Sequence, residues 1–302
     1  MSADRRARCV AAATAVARTQ GLRVADPEVI SEGSRVLVHL RPAPVVARVA
    51  ASTPGVRPDV GIWLEREVAV AAFLAGRGAR VVPPTDLVPP GPHRAGSLTV
   101  TLWAFVDHAP GARLDGASAG RALAELHEAL APYPGELPFL DPALDEVARL
   151  LDAVERAGAL APGDADRLRL EHGDIDRAIR AADHVQPLHG DAWTGNLVVS
   201  QGGLLWTDFE DVCIGPIAWD LACLRMDCPT DGGFEMTARA GVTDADLRPF
   251  LRARELQTVA WALMRATRDP RRRDVAGQRL AAWLGTAARL TPPEPEGSGR
   301  EA

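Results

Sequence analysis

Inside the helical two thirds of this sequence, one short strand–turn–strand constrains the fold more than any other segment. Leu197-Val198-Val199 and Leu204-Leu205-Trp206 are runs of strand formers, and Gly202-Gly203 between them supplies a tight turn. His189-Gly190-Asp191-Ala192-Trp193-Thr194-Gly195-Asn196 leads into the hairpin, and Asp208-Phe209-Glu210 leads out, twelve residues after Asn196. Folding the hairpin closes that gap, so Asp191, Asn196 and Asp208 come together. Three hard oxygen groups in one place suit phosphoryl transfer. That chemistry needs a carboxylate to accept or orient the attacking hydroxyl, and oxygen ligands for Mg²⁺ on the phosphates.

The surroundings sort into two characters. The first 25 or so residues read as a helix, followed by a strand, a turn and a strand over Val29 to Leu40, with the turn at Ser31-Glu32-Gly33-Ser34. Pro44 opens a third strand over Val45 to Ala50, a helix runs from Ile62 to about Gly76, and Leu98 to Trp103 is a further strand. From there the pattern is helical. Ser118 is a candidate cap for a helix striped by Leu123, Leu126 and Leu130, Asp141-Pro142 opens another, and Asp164 a third. Two long helices, about 244–268 and 274–290, follow the hairpin, and the Pro/Glu/Gly/Ser tail from Pro292 is expected to be disordered. The expected division is a β-rich lobe over 1–106, a helical lobe over 107–291 and a tail over 292–302.

Composition narrows the partners. The net charge is −6 and every basic residue is arginine, since no lysine occurs. An acidic chain without a basic block speaks against nucleic acid. Cys9, Cys213, Cys223 and Cys228 form no metal spacing and read as reduced thiols of a cytoplasmic protein. Arg18 interrupts the apolar N-terminal run, so it reads as a helix and not a signal peptide, and no segment has the ~20 apolar residues of a membrane span.

The stretch from Leu188 to Leu221 resembles the aminoglycoside phosphotransferase family, which shares the protein-kinase-like fold. Four features carry the resemblance. They are His189-Gly190-Asp191, four residues and Asn196, the hairpin to Asp208 with its following aromatic, and Gly215-Pro216-Ile217-Ala218-Trp219-Asp220-Leu221-Ala222, where Pro stands one position early. A second tripeptide, His172-Gly173-Asp174, lacks the asparagine, since the fifth residue after Asp174 is Ile179, and it reads as coincidence.

The resemblance implies an α+β, two-lobed protein-kinase-like fold and a set of roles. Asp191 would be the base or hydroxyl-orienting group, Asn196 and Asp208 the Mg²⁺ ligands, and Asp220 the anchor of the catalytic loop. His189 would support the loop, and His127 would pack. The first β-turn would cover the triphosphate of ATP or GTP through Ser31, Gly33 and Ser34, although one glycine alone also suits an ordinary hairpin turn. Arg48, in Val-Val-Ala-Arg-Val, stands where the protein-kinase motif has lysine. Its partner would be Glu67, which shares an inward seam with Leu64, Ala71 and Leu74, with Glu65 as the competitor. Trp103 and Phe105 would border the base, and Pro110-Gly111 loosely matches a family feature after the hinge.

The implied activity is transfer of a γ-phosphate to a hydroxyl of a small acceptor such as an aminoglycoside. Asp227, Asp231, Glu235 and Glu255, with a mobile Gly232-Gly233, suggest a cationic acceptor. Two readings compete. A nucleotide-binding pseudokinase acting as sensor or scaffold draws on the missing lysine. A metal hydrolase draws on His-Gly-Asp and Asp208, but lacks further histidine ligands.

Overall fold

The computed structural model describes residues 3–33, 35–53, 55–109, 111, 114–182, 184–228, 236 and 239–290. Helix α1 (Ala3–Thr19) buries Cys9, Ala13, Val16 and Ala17, a single stripe at helical spacing. That stripe covers an antiparallel five-stranded sheet in the order β1-β2-β3-β5-β4. Its strands are β1 (Val24–Glu32), β2 (Val36–Pro42), β3 (Val45–Ala51), β4 (His93–Ala95) and β5 (Leu98–Ala104). Val36, Val38 and Leu40 of β2 are buried, and the intervening Leu37 and His39 are half-buried. The first helix is shorter than expected. It ends at Thr19, Gly21 turns the chain at φ +89°, and β1 begins at Val24. The β1–β2 turn is correspondingly tight. Ser31 and Glu32 stay in β1, and Gly33 N–H closes on the Arg35 carbonyl at 2.9 Å.

Helix α2 (Val60–Gly76) is capped by Asp59, whose side chain accepts from Gly61 N–H. Its Val70, Ala71 and Leu74 join the large core formed by the helical lobe. That lobe contains α3 (Gly116–Leu130), α4 (Asp145–Arg156), α5 (Pro162–Arg180), α6 (Ala218–Asp227), α7 (Asp244–Arg268) and α8 (Arg273–Leu290). Two small sheets are set into it. One pairs β6 (Gln186–Leu188) with β9 (Cys213–Gly215), and the other is the hairpin of β7 (Leu197–Ser200) and β8 (Gly203–Trp206). The layout is the expected β-rich lobe followed by a helical one.

Helix starts differ from the expectations in instructive ways. The cap of α3 is Asp115, which accepts from both the backbone N–H and the hydroxyl of Ser118 at 2.7 and 2.8 Å. A carboxylate three residues upstream outcompetes the serine for the same orphan donors. Residues 141–144 form a turn, and α4 starts at Asp145 without a side-chain cap. Asp141 is held instead by Arg149 at 2.8 Å, one helical turn inside α4. Helix α5 begins at Pro162, two residues before Asp164. The tail from Pro292 lies outside the described residues.

Two segments brace the hairpin between the lobes. Val82 N–H donates to the Trp206 carbonyl at 2.8 Å, and Ala109 N–H to the Val199 carbonyl at 2.9 Å. The hairpin is therefore fastened both to the segment that follows α2 and to the segment that leaves β5.

Candidate functional site

The loop before β7 is held from below by Asp220, at the start of α6. Its carboxylate is fully buried and accepts three hydrogen bonds. His189 N–H reaches Oδ2 at 2.8 Å, Gly190 N–H reaches Oδ1 at 2.9 Å, and His127 Nε2 reaches Oδ2 at 2.8 Å. His127 thus does more than pack. The His189 ring lies between Trp206 and Phe209, with centroids 5.0 and 4.9 Å away, and its Nε2 meets the Thr207 carbonyl at 3.1 Å. Burial drives the His189 pKa down, against the opposing charges of Asp220 and Asp191.

Gly190 makes this loop possible. Its φ is +84°, and a Cβ there would stand 1.8 Å from the Asp211 carbonyl oxygen. Neither the conformation nor the space admits a side chain. Gly190→Ala is therefore expected to cost roughly 2–4 kcal/mol of stability by strain and overpacking, read as a lowered urea midpoint. A midpoint equal to the wild type would refute this placement of the loop.

The three oxygen-bearing residues meet as the spacing required. Asn196 Nδ2 donates to the Asp191 carbonyl at 2.8 Å and to Asp191 Oδ2 at 3.2 Å. Thr207 N–H donates to the Asn196 carbonyl at 3.0 Å, which seats Asp208 beside Asn196. Asp208 itself adopts a left-handed backbone at φ +72°. By contrast, Asp174 of the second tripeptide lies exposed on α5, paired only with Arg177.

From the sheet above, Arg48 of β3 reaches the same place. It pairs with Glu67 of α2 and with Glu210, and it meets Asp208 Oδ1 at 3.1 Å. Glu67 is 1 % exposed, whereas Glu65 faces solvent. Burial pulls the Arg48 guanidinium down to about 10, with Glu210 opposing that fall.

Three arginines that sequence reasoning missed complete the arrangement. Arg35, one residue before β2, contacts Asp208 and lies 3.0 Å from Glu210. Arg57 pairs with Glu146 of α4, with Glu210 at 3.2 Å and with Asp211 at 2.5 Å. Burial pushes the Glu210 carboxyl up, but Arg48, Arg35 and Arg57 outweigh it and hold that carboxyl far below the usual range. Next to it, burial lifts the Asp211 carboxyl to about 7 against the pull of Arg57, helped by Glu146 and Glu210. Arg254 of α7 binds Asp191 Oδ1 at 2.5 Å. Burial raises the Asp191 pKa, yet Arg254, with His189 and Arg35, more than reverses that, so this carboxyl is ionised at neutral pH.

The other expected residues are placed as follows. Ser31 is exposed in β1, the Gly33 carbonyl is held by Arg5 of α1 at 3.3 Å, and Ser34 lies outside the described residues. Trp103 is buried, its indole N–H on Thr101 Oγ1 at 2.9 Å. Phe105 stacks on His39 at 3.9 Å with an interplanar angle of 9°. The N–H groups of Ala104 and Phe105 are already used by the carbonyls of Pro83 and Pro44, at 3.0 and 2.9 Å. Asp227 is taken up by Thr194, whose backbone N–H reaches it at 2.9 Å and whose hydroxyl also donates to it. Glu255 stands 3.4 Å from Arg252. Pro110, Asp231, Gly232, Gly233 and Glu235 lie outside the described residues.

The residues present fit a magnesium–nucleotide. Arg48 Nε is buried without a hydrogen-bond partner among the described residues, an orphan donor that a phosphate oxygen would satisfy. Asn196 and Asp208 are hard-oxygen residues. Among the described residues no group of three or more His, Cys, Asp or Glu side chains is arranged to hold a metal alone. Such a partial site suits Mg²⁺, which takes the rest of its shell from phosphates and water. Among the described residues, no helix is long and apolar enough to cross a membrane.

Known proteins with this architecture agree with the geometry. No curated protein sequence matches the chain. Solved structures do. A choline/ethanolamine kinase family protein from Mesorhizobium loti is 18 % identical, with 96 % of this chain and 95 % of that one covered at a TM-score of 0.62. An aminoglycoside phosphotransferase, APH(2")-IIia, in complex with GDP and kanamycin is 18 % identical, with 90 % and 98 % covered at 0.64. The amicoumacin kinase hAmiN is 12 % identical, with 96 % and 100 % covered at 0.61. At such identities the likeness establishes the protein-kinase-like fold. The profile of the phosphotransferase enzyme family matches residues 62–256, more than half of the sequence and the whole span from α2 into α7. This chain belongs to the aminoglycoside phosphotransferase (APH) family of phosphotransferase enzymes and has its small-molecule-kinase fold.

Proposed function

We propose that the protein is an active small-molecule kinase that transfers the γ-phosphate of ATP or GTP to a hydroxyl of a small acceptor. The observation that carries this reading is the junction of Asp191, Asn196 and Asp208 on one braced hairpin, with the Arg48–Glu67 pair closing over it. Asp191 orients the acceptor hydroxyl and takes its proton. Asn196 and Asp208 would hold Mg²⁺, which when bound neutralises charge on the phosphate oxygens. Arg48 binds phosphate through the Nε–H that no described residue uses, and Arg35 joins it from the residue before β2. Arginine can do this in a chain without lysine because its guanidinium has five N–H donors, so Nε–H remains when both terminal nitrogens are held by Glu67, Glu210 and Asp208. Residues 1–106 serve as the nucleotide lobe, with the β1–β2 turn at Ser31 and Gly33 over the phosphates and the Trp103–Phe105 edge at the base. Residues 107–291 carry the catalytic and acceptor groups. The intact base and metal residues favour this reading over a pseudokinase.

The test is a screen of hydroxylated acceptors with Mg·ATP and Mg·GTP, read by mass for the gain of one phosphoryl group. Failure to modify any acceptor, despite nucleotide binding, would favour the sensor reading. The metal assignment has its own check. Asp208→Ala is expected to weaken Mg·nucleotide binding on the order of tenfold or more, because a charge-bearing ligand is lost, while Asp174→Ala leaves it unchanged. Equal losses in calorimetry would place the site at the wrong His-Gly-Asp.

A further inference from the structure

Asp191 is ion-paired with an arginine from the helical lobe. Arg254 approaches it from α7, and the arginine is itself held in place. Its other terminal nitrogen donates to Gln257 Oε1 at 2.6 Å, and the buried Gln257 donates in turn to the Pro142 carbonyl at 2.9 Å. The relay from Pro142 through Gln257 to Arg254 spans two elements and leaves the guanidinium little freedom. Two of its five N–H donors are used in these bonds. The side chain is 15 % exposed, so the guanidinium is not sealed off from solvent. The second oxygen of Asp191 is taken by Asn196.

Among the described residues, the carboxylates expected to attract a cation each have a partner. Asp191 is paired with Arg254, Asp227 with Thr194, and Glu255 lies beside Arg252. We propose that Arg254 determines acceptor specificity, by binding an anionic group, a carboxylate or phosphate, that lies within a few bonds of the hydroxyl presented to Asp191. This rests on the kinase reading above and reverses the acceptor charge that the acidic residues suggested. Arg254 acts in two ways. It positions Asp191 through one nitrogen, and its remaining donors take the acceptor's anion, so hydroxyl and base are brought into register by one rigid fork. An ammonium group in the same place would meet a like charge. At a separation of about 6 Å in a partly buried site, with Asp191 offsetting part of the field, that repulsion is worth on the order of tenfold in affinity.

The experiment uses three probes that share one ring and differ in charge: glucuronate, glucose and glucosamine. Binding is read by saturation-transfer NMR in the presence of Mg²⁺ and a non-hydrolysable ATP analogue. Transfer is read separately with Mg·ATP. For the wild type the expected order in both is glucuronate, then glucose, then glucosamine, with roughly tenfold steps. Arg254→Gln is expected to abolish the preference for glucuronate, and Arg254→Lys, which keeps the charge, to retain the order with weaker binding. Raising salt should narrow the wild-type advantage of glucuronate, a measurement that stands even if Arg254→Gln does not fold. Preference for glucosamine, absence of glucuronate binding, or an order indifferent to salt and to Arg254→Gln overturns the assignment. Transfer that favours glucosamine would sink this inference and leave the kinase standing. Charge-selective binding of glucuronate with no transfer to any acceptor would sink the kinase and leave Arg254 as the anion-reading residue.

Discussion

Asp191→Asn is expected to reduce phosphoryl transfer by about 10²-fold or more, while nucleotide binding stays within a few-fold of wild type. Asparagine has the shape of aspartate, and its amide oxygen can still accept from Arg254. The change removes the charge, the basicity and the long contact from Asn196 to the second oxygen, while Asn196 keeps its bond to the backbone carbonyl of residue 191. The loop is set by other bonds, chiefly the two backbone N–H groups on Asp220 and the His189 ring between Trp206 and Phe209. A fall in turnover without a fall in melting temperature or nucleotide affinity is therefore the signature of a group that acts on the acceptor hydroxyl. Asp174→Asn is the matched control, because Asp174 is exposed on α5. Undiminished turnover in a folded Asp191→Asn protein would remove Asp191 from its role. A matching loss in Asp174→Asn would show that the effect is not specific to this loop.

Arg57→Met is expected to destabilise the fold by about 3–5 kcal/mol, the range for removing one partner of a buried ion pair. Arg57 is nearly buried and holds Glu146, which is completely buried, together with Asp211 and Glu210. Its guanidinium also lies against two indole rings, 5.7 Å from the Trp63 centroid and 5.9 Å from that of Trp261. Trp261 N–H donates to the other Glu146 oxygen at 3.0 Å. One cation thus ties the loop after β3 to α4 and to the turn that follows Asp208. Methionine can fill much of the volume but leaves Glu146 without a counter-ion in a dry place. The double variant Arg57→Met/Glu146→Leu should recover part of the loss, since an apolar pair removes the uncompensated charge. Urea unfolding would measure both. A loss below about 1 kcal/mol for Arg57→Met, the range of an exposed pair, would mean that the network is solvated.

Sequence and tertiary structure divide the work according to distance along the chain. The central junction was legible because its geometry is local. Four residues separate Asp191 from Asn196, and a two-stranded turn of fixed length returns the chain to Asp208, so the spacing alone brings the oxygens together. Glu67 was legible for a similar reason. Helical periodicity puts it on the seam with Leu64 and Leu74, and a buried carboxylate requires a cation. The arginines were not legible. Arg35 reaches Glu210 across 175 positions, Arg57 reaches Asp211 across 154, and Arg254 reaches Asp191 across 63. In a chain whose basic residues are all arginine, no local pattern distinguishes these three from those that face solvent. Their partners are chosen only when β2, the loop after β3 and α7 close around the hairpin. Desolvation then makes each unpaired carboxylate costly, and the nearest guanidinium is drawn in. The same closure gave Asp227 a partner in Thr194 and Asp191 a partner in Arg254. Sequence spacing determined which residues meet at the hairpin, because the chain that joins them is short. Tertiary packing decided the charge that surrounds them, because ion pairs in a dry interface depend on elements brought together from distant parts of the chain.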